Sequence, residues 1–200
     1  DYDGEIAEMA REGRSAAEIY EALTLREVGA AADILRPVHD RTRGLDGYVS
    51  LEVNPLLASD RDSTVSEAKR LFAALDRPNV MIKIPATPEG VDALEDCIAA
   101  GVNVNSTLIF SVAQYASVAE AYVRGLEARA LRHLPLAVAS VASVFVSRVD
   151  TAVDKLLAAR GETALLGRTA IDGIRATYRR FRDIFSGPRW DVLAGPDLGA

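Results

Sequence analysis

The sequence predicts an α/β fold built on parallel strands. Strand-like apolar runs alternate with capped helical segments from residue 48 onward, and no hairpin-type turn joins one run to the next. Parallel strands joined in this way need right-handed helical crossovers. An open doubly wound sheet and a closed eight-stranded barrel both satisfy the pattern. The phosphate-cradling signatures GxGxxG and GxxxxGK[ST], which mark doubly wound nucleotide folds, do not occur in the chain. With 200 residues, 49% of them hydrophobic and 26% charged, the chain can build a sizeable core and is not a disordered polymer. It contains no linker, internal boundary or low-complexity segment, so residues 1–200 read as a single domain or a large piece of one.

The elements follow in order. Residues 1–43 read as helix: Ser15 and Glu18 form a capping box, and Ile19, Leu23, Val28, Ala31, Ile34 and Leu35 recur at near-helical spacing down to Pro37. Gly44-Leu45-Asp46-Gly47 breaks that pattern, and Tyr48 to Val53 reads as a strand. Thr64 and Glu67 box a helix that runs through Leu75 and ends at Arg77-Pro78-Asn79. Val80 to Ile84 is the next strand. Thr87 caps the following helix with Pro88 at its first position, and Gly101 closes it. Val102 to Ile109 is a third strand, and Ser111 with Gln114 boxes a helix to about Arg132. Leu136 to Val144 is a fourth strand of small and apolar residues. Helices at about Arg148–Arg160 and Arg168–Phe185 follow, then a Gly/Pro-rich tail. Four strands are half of a barrel.

Charge and rare residues narrow the function classes. A net charge of −6, from 23 Lys+Arg against 29 Asp+Glu, argues against a nucleic-acid-binding module. The single cysteine, Cys97, excludes an internal disulfide framework, and His39 and His133 are too few and too scattered for a metal cluster. No apolar run approaches the roughly 20 residues of a membrane helix. The opening residues, Asp1 to Glu5, lack the basic region and apolar stretch of a secretion signal, so the expected compartment is the cytoplasm.

The strands carry the chemistry. Successive strand residues face opposite ways, so Ser50, Glu52 and Asn54 share one face and Val49, Leu51 and Val53 the other. In the second strand Met81 and Lys83 alternate with Val80, Ile82 and Ile84; in the third Asn103, Asn105 and Thr107 alternate with Val102 and Val104. Parallel sheets are normally covered on both faces, so a recurring polar parity points to an enclosed site. The polar groups also lie toward the strand C-termini, where barrel active sites are built. A structural ion pair between Glu52 and Lys83, or an edge position for these strands, is the plainer explanation. Lys83 is the sharpest candidate: its neighbours Met81, Ile82, Ile84 and Pro85 are apolar, and a poorly solvated ammonium favours the neutral amine that Schiff-base chemistry with a ketone requires. Glu52 is placed to move protons, directly or through a water held by Thr107. Lys69 and Lys155 sit in amphipathic helices and read as solvated.

Four segments together resemble the transaldolases, in their bacterial branch: Gly47-Tyr48-Val49-Ser50-Leu51-Glu52-Val53, Met81-Ile82-Lys83-Ile84-Pro85-Ala86-Thr87, Asn103-Val104-Asn105-Ser106-Thr107-Leu108-Ile109-Phe110, and Ser143-Val144-Phe145-Val146-Ser147-Arg148-Val149-Asp150. The resemblance runs from residue 1 to about Arg189. It implies a (β/α)8 barrel that moves a dihydroxyacetone unit between sedoheptulose 7-phosphate and glyceraldehyde 3-phosphate, with no metal or organic cofactor. By position it makes Lys83 the Schiff-base lysine, Glu52 the acid/base carboxylate and Thr107 the holder of the catalytic water. Asn105 becomes a site amide, Ser143 a contact to the dihydroxyacetone unit and Arg148 a phosphate ligand. Parity alone does not say whether Ser143 or Ser140 points inward.

The family's early strands, with their aspartate and asparagine, and its last two strands, with a second phosphate arginine, have no counterpart here. The expectation is therefore the central part of such a barrel, about four βα units plus leading helices. Its two sheet edges would be open to self-association, and Glu52, Lys83 and Asn105 would face water. Two other readings stand beside this one: an enzyme of the related fructose-6-phosphate aldolase type, which as a family lacks the carboxylate at Glu52, and an inactive fragment serving binding or assembly.

Overall fold

The four apolar runs pair as one parallel sheet, in the order in which they occur. In the computed structural model, which describes residues 2–194, the strands are β1 (Val49–Glu52), β2 (Val80–Pro85), β3 (Val104–Ile109) and β4 (Ser140–Val144), ordered β1-β2-β3-β4. A doubly wound sheet reverses its strand order at a switch point and so covers both faces with helices. A sequential order with crossovers of one hand puts every crossover helix on the same face. The observed order is that of a barrel wall.

Around the sheet lie α1 (Asp3–Arg11), α2 (Ala16–Arg41), α3 (Arg61–Leu75), α4 (Pro88–Ala100), α5 (Val112–Leu131), α6 (Ser147–Ala159), α7 (Thr169–Ile184) and α8 (Pro188–Ala194). The Ser15–Glu18 box starts α2 as the sequence predicts. Instead of one leading helix there are two, with Gly13 at a φ of 84° between them. Pro37 does not end α2, which continues to Arg41. The Thr64–Glu67 box does not form. A short 3-10 turn at Pro55–Leu57 delivers the chain to Asp60, whose carboxylate accepts from the Ser63 N–H (3.0 Å) and caps α3 in place of Thr64. Thr64 is buried instead and donates to the Leu57 carbonyl (2.9 Å), while Glu67 accepts from the Asn54 N–H (3.3 Å). Part of the Gly/Pro-rich tail folds as α8, held by Arg189 to Glu127 and Glu120 of α5; residues 195–200 lie outside the described residues.

The core is the helix-facing parity of the strands. Leu51, Ile82, Ile84 and Val104 are buried against Leu71 and Leu75 of α3, Leu94, Cys97 and Ile98 of α4, and Val123 and Leu126 of α5. Each such side chain stabilises the fold by about 1.5–3 kcal/mol. Helix and strand approach most closely at Gly90: a Cβ there would lie 2.0 Å from the Pro85 carbonyl oxygen. Only glycine lets α4 start this near the end of β2. Two buried asparagines close the other end of the sheet. Asn79 donates to the Ala32 and Gly47 carbonyls, tying α2 to the turn before β1. Asn103 donates to the Pro78 and Val80 carbonyls and accepts from the Ala139 N–H, so this asparagine, predicted on the polar face, ties neighbouring strands together before β3 begins.

Replacing Gly90 by alanine forces α4 off the end of β2 and is expected to lower stability by about 1–3 kcal/mol, read as a lower urea midpoint at unchanged slope. Burial pushes the Cys97 thiol up to about 12, and the Tyr115 and Tyr122 phenols also up to about 12. A group whose folded value is raised contributes stability that is complete below its unfolded value and is lost as pH rises toward the folded one. The urea midpoint should therefore hold level from pH 7 to about 8.5, then fall steadily toward pH 12. Cys97→Ala should flatten the first part of that fall.

Candidate active site

The register of the parallel ladder brings the polar residues of different strands to one level. Glu52 pairs with Lys83, Lys83 with Asn105 and Asn105 with Val141, so the three polar groups form a rung across β1, β2 and β3 on the face away from the crossover helices. Lys83 Nζ lies 4.0 Å from Glu52 Oε2, with 33% of the Lys83 side chain and 54% of the Glu52 side chain exposed. A pair so open to water is worth about 0–1 kcal/mol. Stability does not explain why these two residues stand there.

As expected for four strands without an opposite wall, the Lys83 side chain is one-third exposed, and the poor solvation read from its sequence neighbours is not reached. Ile82 and Ile84 are fully buried, but they point to the helix side and do not surround the ammonium. Met81 and Pro85, both buried, flank the lysine at its own parity. Alternation along the strand separates side chains that are adjacent in sequence.

Beside the lysine, Asn105 is held at both ends of its amide. Its Nδ2 donates to Ser50 Oγ of β1 (3.1 Å), and its Oδ1 accepts from Ser143 Oγ of β4 (2.8 Å). The bond to Ser50 passes over the whole of β2. Neighbouring strands are about 4.8 Å apart, so an asparagine side chain spans two of them only when the sheet curls with its polar face concave. Curvature of this kind belongs to a barrel interior. The same contacts settle the two serines: Ser143 points inward, whereas Ser140 donates to the Val104 carbonyl of the neighbouring strand (2.9 Å).

Thr107 pairs with Pro85 of β2, two residues beyond Asn105 toward the strand C-termini, and is buried at 3% exposure. Past it the ladder is irregular: the register with β4 shifts between Ser106 and Ile109, and Leu108 has a φ of 60°. At the rim the Phe110 and Phe145 rings stack at 5.0 Å, and the exposed Arg148 guanidinium lies 4.7 Å above the Phe145 ring. The structure thus gathers Glu52, Lys83, Asn105 and Ser143 into one cluster, sets Thr107 one step above it, and leaves Arg148 at the mouth. Ser50, Phe110 and Phe145 gained no role from the sequence. For Ser50 the signal was its polar parity; for the phenylalanines it was that each directly follows a predicted strand.

Among the described residues, no helix is long and apolar enough to cross a membrane. The model of the transaldolase/fructose-6-phosphate aldolase family matches residues 1–193. The chain is 47% identical to transaldolase 1 of Streptomyces avermitilis over 197 residues, which are 96% of this chain and 52% of the relative. It is 48% identical to the transaldolase of Thermobifida fusca, covering 96% of this chain and 54% of that protein, and 46% identical to that of Thiobacillus denitrificans, covering 96% and 55%. The chain spans about half the length of these curated relatives. Four sequential parallel strands with their helices on one face are half of the family's (β/α)8 barrel. By its match over residues 1–193 and these identities, the chain belongs to the transaldolase/fructose-6-phosphate aldolase family.

Proposed function

We propose that Lys83 forms a Schiff base with a ketose phosphate, and that the protein is a transaldolase. In this reading it moves a dihydroxyacetone unit from sedoheptulose 7-phosphate to glyceraldehyde 3-phosphate, giving erythrose 4-phosphate and fructose 6-phosphate in the pentose phosphate pathway of the cytoplasm. The observation that carries it is the approach of Lys83 Nζ to Glu52 Oε2, 4.0 Å apart on a concave polar face. The amine adds to the C2 ketone, and loss of water leaves an iminium that draws electrons from the C3–C4 bond. The C4 hydroxyl gives up its proton as that bond breaks and the aldose phosphate leaves. The remaining enamine attacks the acceptor aldehyde, whose oxygen takes a proton. Water then hydrolyses the new iminium to free the ketose phosphate and the Lys83 amine. Glu52 carries the protons of the addition and dehydration steps through a water held by the Thr107 hydroxyl. Asn105 and Ser143 bind the hydroxyls of the dihydroxyacetone unit, and Arg148 binds the phosphate. Residues 1–200 act as one partial barrel domain.

The family description also names fructose-6-phosphate aldolase. The carboxylate beside the lysine favours transfer over simple aldol cleavage, and the long leading helices α1 and α2 point the same way. Release of free dihydroxyacetone as fast as transfer would favour the aldolase.

Borohydride reduction in the presence of fructose 6-phosphate is expected to leave the dihydroxyacetone unit on the peptide carrying Lys83 and on no other; label at Lys69 or Lys155 would sink the assignment. Glu52→Gln should slow transfer by roughly 10²–10⁴-fold while Lys83 remains in place to be trapped. The outer edges of β1 and β4 carry free N–H and C=O groups among the described residues, and Val141 (45%), Leu108 (38%) and Phe110 (48%) are exposed at or near the β4 end. The chain is accordingly expected to elute from a sizing column larger than its 21.4 kDa.

A further inference from the structure

Ser111 and Gln114 carry a helix-start signature, and the cap itself forms, with Ser111 Oγ accepting from the Gln114 N–H (3.1 Å). In a reciprocal box the glutamine side chain would return to the N–H of the capping residue. Here it reaches one residue further. Gln114 Oε1 accepts from the Phe110 N–H (3.1 Å), and Gln114 Nε2 donates to the Leu108 carbonyl (3.3 Å) and to the Ala86 carbonyl at the end of β2 (3.0 Å). Ala86 in turn donates its N–H to the Thr107 carbonyl (2.8 Å). One side-chain amide thus spans the ends of the two strands that carry Lys83 and Thr107.

What it holds is a strained segment. Leu108 sits in the left-handed region, unfavourable for a leucine, at the irregularity between Ser106 and Ile109. The irregularity lies on the β4 side, while Thr107 keeps its regular register with Pro85 of β2, so the turn at Leu108 sets the course of the chain that leaves Thr107. We propose that Gln114 is a positioning residue: by tying Leu108, Phe110 and Ala86 together it holds the left-handed turn at Leu108 against the end of β2 and so fixes the backbone position of Thr107, whose carbonyl accepts the Ala86 N–H. This role rests on the transaldolase reading only for its effect on turnover; the geometric part stands apart from it.

The experiment compares Gln114→Ala and the double variant Gln114→Ala/Leu108→Gly with the unaltered chain. Loss of the amide is expected to speed hydrogen exchange at the Phe110 and Ala86 N–H groups and to move the Thr107 amide and methyl resonances, while α5 beyond its first turn keeps its protection. In transfer assays the single variant should lose about 10–100-fold in kcat, with KM for the ketose donor changed by less than about twofold. Glycine adopts the left-handed conformation without strain. The double variant should therefore bring the Thr107 resonances back and recover most of the lost kcat. Unmoved Thr107 resonances in Gln114→Ala overturn the proposal. So does a loss that comes with exchange along the whole of α5 and is not rescued by glycine at 108, because that pattern belongs to a frayed helix. An unaltered chain without transfer activity would count against the reading of the previous section, and the Thr107 resonances would still decide the role of Gln114.

Discussion

The register of β2 is the constraint on which the rest depends. Val80, Ile82 and Ile84 are fully buried on the helix side, and Lys83 lies between two of them on the other. Sliding this strand by one residue would expose the isoleucines and drive an ammonium into the helix interface. Each isoleucine contributes about 1.5–3 kcal/mol by its burial, and an unpaired charge in an apolar core is costlier still. The slip is therefore closed, and Lys83 is fixed on the concave face by its apolar neighbours. Once β2 is set, the parallel ladder sets Glu52 on one side and Asn105 on the other.

Stability and chemistry consequently sit on opposite faces of one sheet. The helix side holds the apolar core, with helices approaching closely at Gly90 and at Gly125, where a Cβ would come 2.7 Å from Ile98 Cβ. Outside it, ion pairs such as Arg70–Glu21, Arg61–Asp96 and Arg124–Glu95 join successive helices, each at a surface where such a pair is worth about 0–1 kcal/mol. The concave side holds hydroxyls, an amide, a carboxylate and an ammonium around the buried Met81 and Pro85. Changes there alter the chemistry with small effect on folding, whereas changes to Ile82 or Ile84 act on both.

Period-2 alternation and helix caps made most of this legible from sequence. The four strands, the inward parity of Glu52, Lys83, Asn105 and Thr107, and the caps at Ser15, Thr87 and Ser111 are local signals, and each survives in the structure. The misreadings have a common cause, which is competition between local signals and tertiary partners. Thr64 and Glu67 had the spacing of a box, but Asp60 took the cap once the turn at Pro55–Leu57 formed. Asn103 had the right parity but found three backbone partners before its strand began. The reach of Asn105 over β2 to Ser50 depends on sheet curvature, which no local pattern encodes. The solvation of Lys83 depends on neighbours in space rather than in sequence.

Asn105 also gives the concave face its hydrogen-bonding polarity. With the amide oriented as it is, Ser143 spends its hydroxyl proton on Asn105 Oδ1 and keeps its lone pairs; Ser50 accepts from Nδ2 and keeps its proton. The face therefore offers an acceptor on the β4 side and a donor on the β1 side, with a spare N–H and a spare lone pair on the amide between them. A carboxylate or phosphate would meet too many acceptors here, and an apolar ligand would leave every one of these groups unsatisfied. A polyol, whose hydroxyls both give and take hydrogen bonds, satisfies all of them. At the mouth, Arg148 lies over Phe145 and is open to solvent, the place the proposed reaction gives to the phosphate end. The wall is thus graded along the strand direction, hydroxyl-matching beside the lysine and cationic at the rim, and in the proposed reaction that gradient would set a sugar phosphate with its carbonyl end inward.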